Sequence, residues 1–99
     1  MHVISEKKLR EFWEVHPDAE VPLRAWVKKV EGSTWKNFAE VRADYSHADQ
    51  YERCVIFNIG GNKYRLIVSI HYNRQKVYLR DILTHEQYDQ EKWKGDCEC

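Results

Sequence analysis

The chain has 99 residues, 42% of them hydrophobic, with 16 basic and 16 acidic side chains that give a formal net charge of zero. That length makes one domain, which buries roughly two-thirds of its unfolded surface around a single core. Neutrality excludes a strong autonomous duplex-DNA binder; with no apolar run near the ~20 residues of a membrane span and no signal-peptide core in the opening MHVISEKKLR, a cytoplasmic protein is expected.

In chain order, His2, Val3 and Ile4 suit a short edge strand, and Ser5 an N-cap. Leu9, Phe12, Trp13 and His16 follow the i, i+3, i+4, i+7 spacing of an amphipathic helix. Pro17 ends it, because the residue before proline is pushed out of helical geometry. Asp18 is positioned to cap a second helix with the stripe Leu23, Trp26, Val27 and Val30, stopped at Gly32. The two make a helical hairpin whose stripes cover one sheet face. Asn37 and Glu40 form a capping-box signature for a short third helix, and residues 46–50 read as a polar loop.

Residues 53–83 read as three strands joined by two tight turns, the first at Gly60-Gly61. This stretch holds six basic residues up to Arg80 (Arg53, Lys63, Arg65, Arg74, Lys76, Arg80) and no acidic one, a charge signal hidden in the neutral whole. In the middle strand Tyr64, Leu66, Val68, Ile70 and Tyr72 share the core face; Arg65, Ile67, Ser69 and His71 share the open one. In the last strand Val77 and Leu79 match the core face, and Lys76, Tyr78, Arg80 and Ile82 the open one. A turn centred on Arg74-Gln75 sets His71 opposite Tyr78 and Ser69 opposite Arg80. Thr84 and Gln87 form a second capping box, opening a helix over residues 85–93 with His85 and Tyr88 on one face. Residues 95–99 read as a disordered tail.

The three cysteines point to no metal site. Cys54 suits a buried strand position, and Cys97-x-Cys99 has no second ligand pair, leaving exposed thiols on the tail. No cofactor is expected.

A basic open face edged by His85 and Tyr88 has the parts for RNA phosphodiester cleavage. A base takes the 2′-OH proton, cations stabilise the pentacoordinate phosphorus, and an acid protonates the leaving 5′-oxygen. Histidine serves either proton role near neutrality, and a helix start favours its neutral form. Tyrosine serves mainly as an acid or orienting group. On the residues alone, a non-enzymatic RNA-binding sheet with Tyr78 as a stacking platform stays equally open.

The pieces HVIS, LREFW-x-x-HPDAE, WKNFAEVRADY-x-x-AD, VIFNIGGNKYRLIVSIHY and VYLRDILTHEQYD resemble the HigB branch of the RelE/ParE toxin superfamily, in family order over most of the chain. The chain departs from the usual pattern at Phe38, where proline is common, and in its cysteine-bearing tail. The resemblance implies an α+β fold, a small antiparallel sheet with the helical hairpin on one face and a short C-terminal helix, as one RelE/HigB-like domain over residues 1–94. It implies a toxin of a type II toxin–antitoxin module, a ribosome-dependent mRNA endoribonuclease (mRNA interferase) that cuts in the A site by metal-independent 2′-OH attack. Carried over by motif are Arg65, Arg80, His85 and Tyr88 as catalytic candidates and Lys63 as an RNA-binding one; the basic stretch itself adds His71, Arg74, Lys76 and Tyr78 as RNA-binding candidates. The implied partners are a HigA-like helix-turn-helix antitoxin, the ribosome and mRNA, and operator DNA only through the antitoxin complex, with no membrane. A ParE-like DNA gyrase poison is the alternative within the superfamily.

Overall fold

The computed structural model of the chain describes residues 1–61 and 63–97. A five-stranded sheet has the order β1-β5-β4-β3-β2, built from β1 (His2–Ile4), β2 (Asp49–Tyr51), β3 (Cys54–Ile59), β4 (Tyr64–His71) and β5 (Lys76–Thr84). Strands β2 to β5 pair antiparallel and the edge strand β1 runs parallel to β5, so the sheet is mixed. The helices are α1 (Glu6–Val15), α2 (Glu20–Glu31), α3 (Phe38–Asp44), α4 (His85–Asp89) and α5 (Lys94–Cys97). None is long and apolar enough to cross a membrane.

The helical hairpin forms where the apolar periodicity places it, but its caps differ. Ser5 sits at the N-cap of α1 in the left-handed region, φ 76°, with no capping bond from its side chain. Pro17 ends α1 and opens a single 3-10 turn (Pro17–Ala19), so α2 starts at Glu20 and Asp18 caps nothing. Asp18 instead ties the hairpin to the sheet. Its carboxylate accepts from the Tyr64 hydroxyl at 2.6 Å and from Lys63 Nζ at 3.0 Å. Those two bonds, Tyr64's first, hold its carboxyl below the usual value. His16, expected at the surface, is half-buried against Phe12, ring centroids 4.5 Å apart. At α3 the Asn37 side chain accepts from Glu40 N, while Glu40 reaches back to Lys36 N rather than to the cap residue.

The main core lies between the hairpin and the sheet, centred on Phe57. Trp26 meets that ring edge-on at 5.4 Å and Tyr45 at 5.1 Å, and Trp35 stacks at 6.3 Å. Trp26 is 2% exposed, so Trp26→Ala is expected to lose about 3–5 kcal/mol. That is a large share of the ~5–15 kcal/mol available to a domain, read as a lower urea midpoint with an unchanged slope.

Three sequence expectations are corrected in the sheet. Residues 49–51, read as polar loop, form β2 against β3. A 3-10 turn (Tyr72–Arg74), with Gln75 in the left-handed region at φ 55°, slides β5 by two residues. Ser69 therefore faces Tyr78 and His71 faces Lys76, a shift that keeps every face. The register then moves by one more residue between Ile67 and Val68, with Leu79 opposite Val68 and Asp81 opposite Ile67. Arg80 is the extra residue. Unbroken alternation from Val77 and Leu79 would bury Asp81, at a heavy desolvation cost. The bulge leaves Arg80 exposed and turns Ile82, expected on the open face, into the main core.

The face expected to be open is in part closed. Ile56 and Ile67, 2% and 1% exposed, form a second core with Cys54, Trp93 and Cys97. Residues 94–97, expected to be disordered from 95 onward, form α5, and Cys97 is buried in a disulfide with Cys54 rather than exposed as a thiol. Cys99 lies outside the described residues.

Candidate active site

The Gly60-Gly61 turn, both glycines at positive φ, brings β3 back as β4. Arg65 stands one residue into β4 on its half-covered face, between Asn58 of β3 and Leu83 of β5. At that end of the sheet Thr84 opens α4 with a complete capping box. Its hydroxyl accepts from Gln87 N at 3.2 Å, and Gln87 Oε1 accepts from Thr84 N at 3.0 Å. His85 N donates to Lys63 O at 3.0 Å and fixes the start of α4 to the β3–β4 turn. The helix ends at Asp89, four residues short of the expected extent.

This geometry sets Arg65 against Tyr88, with His85 three residues earlier on the same short helix. The Arg65 guanidinium carbon lies 5.2 Å over the Tyr88 ring, within cation–π range. The ring stacks on Trp93, centroids 5.0 Å apart and planes 9° apart. Burial, foremost, pushes the Tyr88 phenol above its ordinary value of 10.0; the Asp49 and Asp89 carboxylates add to this, while Arg65 and Lys94 oppose it. His85 Nδ1 is 3.1 Å from Asp89 Oδ2, both side chains more than half exposed. A neutral imidazole that donates Nδ1–H to Asp89 keeps the Nε2 lone pair free to accept a proton.

The remaining candidates lie elsewhere. Arg80 is on the bulge, midway along β5. His71 and Tyr78 meet edge-on at 4.9 Å near the far turn, where Lys76 and the exposed Arg74 also sit. Six residue steps along β4 separate Arg65 from His71, a span of about 20 Å. Lys63 is not turned to this face but paired with Asp18 at 3.0 Å, an exposed ion pair of little energetic weight. The fold also adds acids that residues 53–80 lack: Asp49 from β2 and Asp81 from the bulge share the face of Ile56 and Ile67. Sequence reasoning missed Trp93 as a neighbour of the pair. Asp89, four residues beyond His85 on one helix face, was legible.

Preorganised cations beside an acid and a base are what phosphodiester cleavage needs. Comparison with known proteins bears on this directly. Residues 19–91 match the family described as HigB toxin, the RelE-like toxic component of a toxin–antitoxin system, and so include all four catalytic candidates. The chain is 28% identical, over 90% of its length and 88% of the relative's, to the mRNA interferase toxin HigB of Escherichia coli K12 and to the mRNA interferase HigB of Shigella flexneri. It is 22% identical, over 90% of its length and 89% of the relative's, to the mRNA interferase HigB of Escherichia coli O6:H1.

Proposed function

The chain belongs to the HigB toxin family of toxin–antitoxin systems, and from that membership we propose that it is an mRNA interferase, an endoribonuclease that cuts translated mRNA in the ribosomal A site and so stops growth. The observation that carries this reading is Arg65 poised over Tyr88 with His85 on the same short helix. In the reaction His85 Nε2 takes the 2′-OH proton as the 2′-oxygen attacks phosphorus, with no metal ion required. Arg65 stabilises the pentacoordinate phosphate, and Tyr88 protonates the 5′-oxygen as it leaves. The products are a 2′,3′-cyclic phosphate and a 5′-hydroxyl. The chain would run from this centre along the sheet past Arg80, towards Tyr78, His71, Lys76 and Arg74, which grip phosphate and stack on bases. Lys63 joins them only by releasing Asp18.

Membership implies an antitoxin as partner. We take it to be HigA-like, with a helix-turn-helix that carries the complex to operator DNA. The substrate puts the toxin in the cytoplasm, and the ribosome, by presenting the mRNA, explains why a neutral protein suffices.

The test is brief induction in translating cells with mapping of RNA 5′ ends. Growth arrest with codon-phased cuts bearing 5′-hydroxyls is expected. Intact mRNA accompanied by DNA damage would instead indicate a gyrase poison, and saturable RNA binding without cleavage a binding module. Arg80→Ala, at an exposed bulge, should stay folded and lose about tenfold in cleavage through weaker phosphate contact, chiefly in KM.

A further inference from the structure

The end of the sheet that carries Tyr88 is held by residues 90–97, of which 92–97 lie beyond the stretch the family match covers. Trp93, 4% exposed, stacks on Tyr88, and its Nε1 donates to Tyr88 O at 3.0 Å. Tyr51 of β2 meets Trp93 edge-on at 5.5 Å, and Lys94 Nζ lies 4.9 Å over the Tyr51 ring. Arg53 N donates to Cys97 O at 3.4 Å, and the Cys54–Cys97 disulfide joins the segment to β3 across 43 positions. Under it lie Ile56 and Ile67, which no helix of the hairpin reaches. The five residues of α4 are too few to hold a helix by themselves, since isolated helices need roughly 12–15. Tyr88 therefore keeps its place through what packs on it.

From these contacts we propose that residues 90–97 form a strap that positions Tyr88, with Trp93 as the positioning residue and the Cys54–Cys97 disulfide as a redox-sensitive clasp. The inference rests on the reading of Tyr88 as a site residue. A dithiol reductant supplies two electrons and two protons; the sulfur–sulfur bond breaks, two thiols remain, and the reductant leaves as its own disulfide. The packing of Trp93, the Lys94–Tyr51 contact and the single Arg53–Cys97 backbone hydrogen bond then retain the strap. Disulfides in cytoplasmic proteins are rare, and those present are mostly transient, catalytic or redox-sensing. A clasp there that joins the active-site cover to a central strand couples turnover to thiol redox state.

The experiment uses full-length toxin carrying Cys99→Ser, so that one disulfide alone is read, with ribosomes and mRNA, with and without dithiothreitol. Reduction, Cys97→Ser and Trp93→Ala should each lower kcat about tenfold with KM little changed, as expected of a displaced catalytic group. Trp93→Phe, which can still stack, should recover most of the rate. Dithiothreitol should have no effect on the Cys97→Ser protein, which assigns the response to the clasp rather than to the ribosome. In parallel, ring-labelled tyrosine NMR should show the Tyr88 signal shifted and motionally averaged on reduction. Equal cleavage by oxidised and reduced toxin, in a protein that Tyr88→Phe inactivates, overturns the strap while leaving the site intact. Full activity in Tyr88→Phe overturns the site instead, and an unmoved Tyr88 signal then overturns the strap as well.

Discussion

Arg65→Ala is expected to lower mRNA cleavage by about 10²–10³-fold, almost wholly in kcat, which is the effect of removing one preorganised group aimed at developing charge. The two catalytic arginine candidates stand at different places on the sheet. Arg80 is on a bulge in the middle of β5, exposed. Arg65 is paired across β4 with Leu83, one residue before the strand turns into α4, and its guanidinium lies over the ring of Tyr88. A phosphate reached by the Tyr88 hydroxyl is therefore next to Arg65. Arg65→Lys should recover only a small part of the rate. An ammonium keeps the charge but lacks the planar fork that can stack on a ring and hold two phosphate oxygens. The side chain is half-exposed on a strand whose opposite face holds the core, so thermal unfolding of Arg65→Ala should shift little. A folded Arg65→Ala toxin that cleaves within threefold of the parent would remove this residue from the reaction.

The parts of the molecule that obey a local period were legible in the sequence. Leu9, Phe12 and Trp13, then Leu23, Trp26 and Val30, define the hairpin, and Thr84 with Gln87 marks the start of α4. Alternation put Arg65 on the correct face, and the capping box brought Tyr88 to it. What failed to show depends on pairing at a distance. The bulge was half visible: the apolar core positions run 77, 79 and then 82, a change of phase that only the charge of Asp81 explains. Cys54 to Ile59 is an almost unbroken apolar run, the mark of a strand covered on both faces. Ile67 on the supposed open face gave the same signal. Neither named its cover, because Trp93 and Cys97 follow a chain reversal at Glu91, φ 61°, within a segment of polar composition. A disulfide between positions 43 apart has no local pattern at all.

Tyr88→Phe is expected to cost about 10²–10⁴-fold in kcat, the span of a positioned proton donor. The substitution is clean: the ring remains to stack on Trp93 and to meet Arg65, and only the proton is lost. The direction of the phenol's shift supports the donor role proposed for it. Burial and the Asp49 carboxylate raise it above 10.0, so at pH 7 the phenolate is below about one part in 1,000. A base present at that level would forfeit at least the whole gain of its basicity, whereas an acid is fully armed. This supports the proposed roles, Tyr88 as donor to the 5′-oxygen and His85, whose Nδ1 is 3.1 Å from Asp89 Oδ2, as acceptor from the 2′-OH. The sign for pH dependence follows. A donor must be protonated, and a raised phenol stays protonated further into alkali. The alkaline fall in the protonated fraction of the Tyr88 phenol, read by ring-labelled tyrosine NMR on the free toxin, should therefore lie above pH 10.0 and be missing from Tyr88→Phe. Asp49→Asn removes one cause of the shift and should move that fall towards lower pH. A fall unmoved by Asp49→Asn, or a Tyr88→Phe toxin that cleaves at the parent rate, would give the donor role to another group.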